Sequence, residues 1–72
     1  VMRNNLIKFR QQLGFTQVEF AELLNVDRQY QQNVEKGRRK GSADYWLRIM
    51  EKFKLTCENI NKLREMSSNE TT

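Results

Sequence analysis

The sequence predicts an all-α fold, a compact domain of five short helices, and three observations point to it. Apolar residues recur at spacings of three and four, which is one face of a helix. Residues suited to capping helix N-termini stand just before these stretches, and glycine stands just after two of them. No run of β-branched residues alternates over the length of a strand.

Met2, Leu6, Phe9 and Leu13 place the first helix, with Gly14 at its left-handed end. Thr16-Gln17-Val18-Glu19 is a capping box, in which the Thr16 hydroxyl and the Glu19 carboxylate serve each other's backbone N–H. The helix it opens turns Phe20, Ala21 and Leu24 inward and is barely two turns long, so it depends on its neighbours. Asn25-Val26 breaks the pattern, and Asp27 caps a third helix running to about Lys36, closed by Gly37. Arg38-Arg39-Lys40-Gly41 then makes a charged loop. Ser42 caps a fourth helix carrying Trp46, Ile49, Met50 and Phe53. After a turn at Leu55-Thr56, Ile60 and Leu63 give the fifth helix its apolar face. The domain is expected over residues 2–66, with Met2 the natural start behind Val1. Residues 67–72 hold nothing apolar and are expected to form a disordered polar tail.

Composition narrows the function. A chain of 72 residues supports one small core. Its single Cys, without any His, rules out an intramolecular disulfide, a zinc site of the usual Cys/His type and every His-dependent triad. The carboxylates form no acid/base pair, so no enzyme, cofactor or metal is expected. No apolar run approaches the length of a membrane span, and no signal peptide is visible, so the expected location is the cytoplasm. Two properties stand out: a net charge of +4, and 7 Asn with 6 Gln.

Both gather between Thr16 and Lys40. Two short helices meet at the tight connection Leu24-Asn25-Val26-Asp27, the spacing of a helix-turn-helix, which sets a helix into a DNA major groove. On the third helix Arg28, Gln29, Gln32 and Asn33 share a surface, with Val34 on the other side. Arg can fork onto guanine, and Gln and Asn can both donate to and accept from adenine, so these four are the candidate base contacts. Two amides on a short helix would read as solvated; four base-competent residues after such a turn do not. Lys36, Arg38, Arg39 and Lys40 follow directly and are candidate phosphate contacts, each releasing counterions from the backbone. Gln17, at a helix N-terminus, and Tyr45, beside the basic loop, complete the phosphate candidates.

Residues 6–60 resemble the helix-turn-helix domain of the Cro and repressor proteins of lambdoid phages. The matching elements are Arg10, Leu13-Gly14, Thr16-Gln17, Phe20-Ala21, Val26, Val34-Glu35 and Gly37. The resemblance implies a five-helix domain whose helices 2 and 3 form the motif. It implies base reading by Arg28, Gln29 and Asn33, a phosphate contact from Gln17, and an ion pair between Arg10 and Glu35. Taken alone, those two charges would read as solvated. The implied partner is double-stranded DNA with an inverted-repeat operator, bound by a weak homodimer formed or strengthened on the DNA. The function expected is therefore that of a sequence-specific, repressor-like regulator of transcription. The alternatives are a protein-interaction module of the same fold, of antitoxin or anti-repressor type, or the front end of a larger regulator.

The chain departs from the family pattern at three places. Gln31 replaces an aliphatic residue, so either the amide is half-buried with a partner or Tyr30 fills the space. Gly41 replaces a common Pro and is expected to loosen the basic loop. Asn59 stands where phage repressors often carry an apolar, dimer-facing residue. Ile60, Leu63 and Met66 are the candidate dimer or partner surface. Cys57 is expected to be core filler rather than a redox switch.

Overall fold

The computed structural model describes residues 2–66, so the expected tail lies outside the described residues. Five helices follow one another: α1 (Asn4–Gln12), α2 (Gln17–Leu23), α3 (Arg28–Glu35), α4 (Ala43–Phe53) and α5 (Cys57–Arg64). Local chemistry accounts for their starts. Thr16 Oγ1 accepts from the Glu19 N–H while the Glu19 carboxylate accepts from the Thr16 N–H, closing the capping box of α2. Asp27 and Ser42 cap α3 and α4 by the one-way bond alone, accepting from the N–H groups of Tyr30 and Tyr45. Helix α5 opens on a second capping box, between Thr56 and Asn59. Asn59 is thus tied to its own helix start.

Packing pairs α2 with α3, α1 with α5 and with α3, and α4 with α5. Leu6, Phe20, Leu24, Val34, Tyr45, Trp46, Ile49, Ile60 and Leu63 form the buried core. Phe53 lies stacked on Phe20 at 6.0 Å and edge-on to Phe9 at 5.2 Å. The pattern expected for α1 needs correcting at both ends. Met2 precedes the helix and is exposed, and Leu13, at the C-cap, is exposed as well. The inward places go to Arg3 and Arg10, two cations that a hydrophobic pattern cannot detect.

Gly41 is required by space as well as by conformation. Its φ is +81°, and a Cβ there would lie 2.6 Å from Trp46 Nε1, the atom that donates to the Lys40 carbonyl at 3.0 Å. The glycine therefore lets the indole lock onto the loop, contrary to the loosening expected from the lost Pro. Gly14 also has a positive φ, of +82°, yet a Cβ there would meet nothing within 4 Å. Gly14→Ala should cost about 1–2 kcal/mol, the left-handed backbone penalty alone, and Gly41→Ala distinctly more. Urea denaturation of the two variants measures this; equal losses would show that the indole does not hold the loop.

Candidate nucleic-acid interface

The turn between α2 and α3 is built from backbone geometry. Asn25 adopts a left-handed φ of 58°, which Asn tolerates better than most residues. The Val26 N–H then returns to the Ala21 carbonyl at 2.9 Å. Arg48 of α4 reaches across to donate to the Leu24 carbonyl at 2.8 Å, satisfying the end of α2. Val26 itself packs, half-buried, against the core. The outcome is a third helix with one face turned to solvent: Arg28 and Gln29 are exposed, and Gln32 and Asn33 half-buried. Gln31, Val34 and Glu35 are buried on the opposite side.

That buried side is polar, and Glu35 is its centre. Arg10 of α1 forms an ion pair with it, Nε donating to Oε2 at 2.7 Å and Nη2 to Oε1 at a longer 3.3 Å. Gln17 of α2 donates Nε2 to Oε1 at 2.9 Å, and Gln31, one turn back on α3, donates Nε2 to Oε2 at 2.8 Å. Gln31 is 0 % exposed, and its Oε1 accepts from the Tyr45 hydroxyl at 2.6 Å. Of the two compensations considered for this amide, the structure uses the partnered one, with burial complete rather than partial. Leaving such an amide unpaired would cost about 1–3 kcal/mol. Tyr30 does not replace it; its ring packs edge-on against Tyr45 at 5.6 Å and its hydroxyl accepts from the Ser42 N–H at 2.8 Å.

The basic loop lies directly beside the exposed face. The Arg38 and Arg39 N–H groups both return to the Asn33 carbonyl, at 2.9 and 3.2 Å. Arg38, Arg39 and Lys40 are exposed, and Lys36, the C-cap of α3, is half-buried. A polar cleft of about 310 Å³ joins the two regions, lined by Asp27, Gln29, Tyr30, Asn33 and Arg39. The Asp27 carboxylate within it already accepts from the Tyr30 N–H. With Glu35 neutralised by Arg10, this side of the molecule is left with a surplus of positive charge.

Several expected surface residues lie elsewhere. Tyr45 is 1 % exposed, and its hydroxyl belongs to the Gln31–Glu35 network, so it cannot meet a phosphate. Ile60 and Leu63 are core residues, because so short a helix as α5 must spend its apolar side chains on α1 and α4. Of the three proposed for a partner surface only Met66 is exposed. Cys57 is exposed rather than core filler, being the first residue of α5, at the rim of an apolar groove between α4 and α5. Gln17 spends one amide hydrogen on Glu35 and is half-buried. Arg3 matches no sequence pattern singled out above. Only 6 % exposed, it donates Nη1 to the carbonyls of Val34 at 2.7 Å and Arg39 at 2.8 Å, and Nε to that of Arg64 at 2.9 Å. A charged residue near the N-terminus carries no sequence signal that would mark it as buried.

Against this geometry, the model of the Cro/C1-type helix-turn-helix family matches residues 6–59. The chain belongs to that family. Comparison with curated proteins and with solved structures returned no match. As a helix-turn-helix, α2 and α3 are the motif pair and α3 is its second helix; the family is a DNA-binding one. No helix among the described residues is long and apolar enough to cross a membrane.

Burial raises the Tyr45 hydroxyl well above the usual tyrosine range, an effect that its bond to Gln31 only partly offsets. The folded state therefore holds this proton more tightly than the unfolded chain does. The stability it contributes is intact below about pH 10, the ordinary tyrosine value, and is lost as pH rises beyond it. In a Tyr30→Phe variant, whose one remaining tyrosine is Tyr45, phenolate absorbance should appear only as helical circular dichroism disappears. Ionisation near pH 10 with the helices intact would contradict the buried network.

Proposed function

We propose that this helix-turn-helix protein is a sequence-specific regulator of transcription, repressor-like, with α3 lying in the major groove of double-stranded DNA. One observation carries the reading: a single helix face offers Arg28, Gln29, Gln32 and Asn33, and the loop bearing Arg38, Arg39 and Lys40 is bonded to the carbonyl of Asn33, within that same face. Base-edge chemistry and phosphate chemistry are then presented to one duplex together. Arg28, Gln29, Gln32 and Asn33 read base edges. Lys36, Arg38, Arg39 and Lys40 contact phosphates, joined by the second Nε2 hydrogen of Gln17.

On DNA the protein acts as a weak homodimer on an inverted repeat, placing two recognition helices about 34 Å apart, one turn of the duplex. Support for pairing comes from the family resemblance and from the groove between α4 and α5, where Leu47 is 46 % exposed. The same groove is what the alternative, a protein-interaction module of this fold, would use.

Selection from random duplexes followed by sequencing tests the proposal. Recovery of an inverted repeat is the expected result, and failure to enrich any motif would favour the interaction module. On the selected site, Gln29→Ala should narrow the gap between specific and random DNA, each lost base contact being worth about 1–3 kcal/mol. Arg39→Ala should instead weaken both alike and reduce the salt slope by about 1. If both substitutions weaken specific and random DNA equally, the assignment of the reading face is wrong.

A further inference from the structure

The basic loop holds three exposed cations in a row, and such side chains ordinarily spend much of their binding energy on becoming ordered. Here the backbone beneath them is held at several points. The Arg38 and Arg39 N–H groups bind the Asn33 carbonyl, the Arg39 carbonyl accepts from Arg3, the Lys40 carbonyl accepts from Trp46, and the Ser42 N–H binds the Tyr30 hydroxyl. Arg39 has one further restraint. Its guanidinium carbon stands 6.0 Å from the centre of the Tyr30 ring, and among the described residues it is the one loop cation stacked on an aromatic. This stacking places it in the polar cleft shared with Gln29 and Asn33.

The opposite end of the arrangement is Arg3. Among the described residues its guanidinium has no carboxylate partner; carbonyl oxygens at the end of α3, in the loop and at the end of α5 surround it instead. The Trp46 ring lies beneath it, with the guanidinium carbon 5.8 Å from the centroid. Burial draws the Arg3 guanidinium below its usual basicity, as expected of a cation taken out of water. The planar fork of an arginine holds its donors in fixed directions, and here Nε and Nη1 reach three carbonyls on separate segments, a geometry the compact, freely turning ammonium of a lysine does not reproduce. An unpaired buried cation is costly to keep, and what this one secures is the course of residues 34–39 relative to α5.

The geometry points to Arg3 and Tyr30 as positioning residues for Arg39: without touching DNA, they hold it beside the base-reading face, ready to take the phosphate next to the bases read by Gln29 and Asn33. This rests on the DNA-binding reading above. Arg38 and Lys40 then add charge, and Arg39 adds register.

The test is a cycle on the full chain, using a duplex of mixed sequence as the probe, because phosphate anchoring does not depend on base identity. Arg3→Lys keeps the charge and removes the fork. Tyr30→Leu removes the stacking platform, and acts on Arg39 from the other side should Arg3→Lys fail to fold. Each should weaken binding severalfold when Arg39 is present, and have little further effect once Arg39→Ala has been made. A purely structural role gives equal losses in both backgrounds, and that result would overturn the proposal.

Amide exchange on the free protein supplies a second readout. Arg3→Lys should speed exchange at residues 38–40 while the core amides of α2 and α4 stay protected. Unchanged exchange in the loop would overturn the positioning role whether or not DNA binds. Failure of the unsubstituted chain to bind any duplex would defeat the DNA reading and the anchor with it, while exchange still decides whether Arg3 holds the loop.

Discussion

The Glu35 carboxylate is almost entirely removed from water, and its four hydrogen bonds come from three different helices. Arg10 brings α1, Gln17 brings α2, and Gln31 extends the connection through Tyr45 to α4. A buried ion pair of this kind adds little net stability, because desolvation offsets the attraction. Its effect lies in what it forbids. Any packing of α3 that separates Glu35 from its donors strands a buried charge, at a cost of about 3–5 kcal/mol. For a helix of eight residues, too short to hold its place by its own hydrogen bonds, this is a strong constraint on rotation about its axis. Rotation is also what decides which side chains face outward. The inward set Gln31, Val34 and Glu35 and the outward set Arg28, Gln29, Gln32 and Asn33 are therefore fixed together.

The same logic reaches the loop. Glu35 is tied through its own carbonyl to the Arg3 N–H at 2.8 Å, and the Arg3 side chain continues to the Val34, Arg39 and Arg64 carbonyls. Two guanidinium groups stand over the Trp46 ring, Arg3 at 5.8 Å and Arg64 at 5.9 Å, and its Nε1 donates to the Lys40 carbonyl. The exposed helix face and the exposed cations thus share one polar frame, assembled mainly from charged and amide side chains. A rigid presentation of this kind lowers the ordering cost that binding would otherwise incur.

How much of this was legible in the sequence depends on how far apart the partners are. The caps of α2, α3 and α4, the Asn25-Val26 break and the common face of Arg28 to Asn33 involve residues within a few positions of each other, and they could be read directly. So could the oddity of Gln31, although its partner Tyr45 lies fourteen residues on. Arg3 bonds to a carbonyl 61 residues away, and nothing local announces it. The misassignment of Ile60 and Leu63 has a related cause: an apolar stripe on a helix is the same whether it faces the core or a partner. Tyr45 reads as a phosphate contact because the loop before it in the chain is basic, while its neighbours in space are Gln31, Tyr30 and Trp46. Resemblance to the family supplied the Arg10–Glu35 pairing, for which residue chemistry alone offered no reason.

If the polar frame exists to present α3 and its loop to DNA, the binding footprint must coincide with what the frame presents. Titrating a selected duplex into the isotopically labelled chain, and following the backbone amides by nuclear magnetic resonance, measures that footprint residue by residue. Shifts should concentrate at residues 28–33 and 36–40 and at the start of α2, with the amides along the groove of Leu47, Met50 and Cys57 changing only where a second copy meets them. Shifts confined to that groove, with residues 28–33 unmoved, would contradict it.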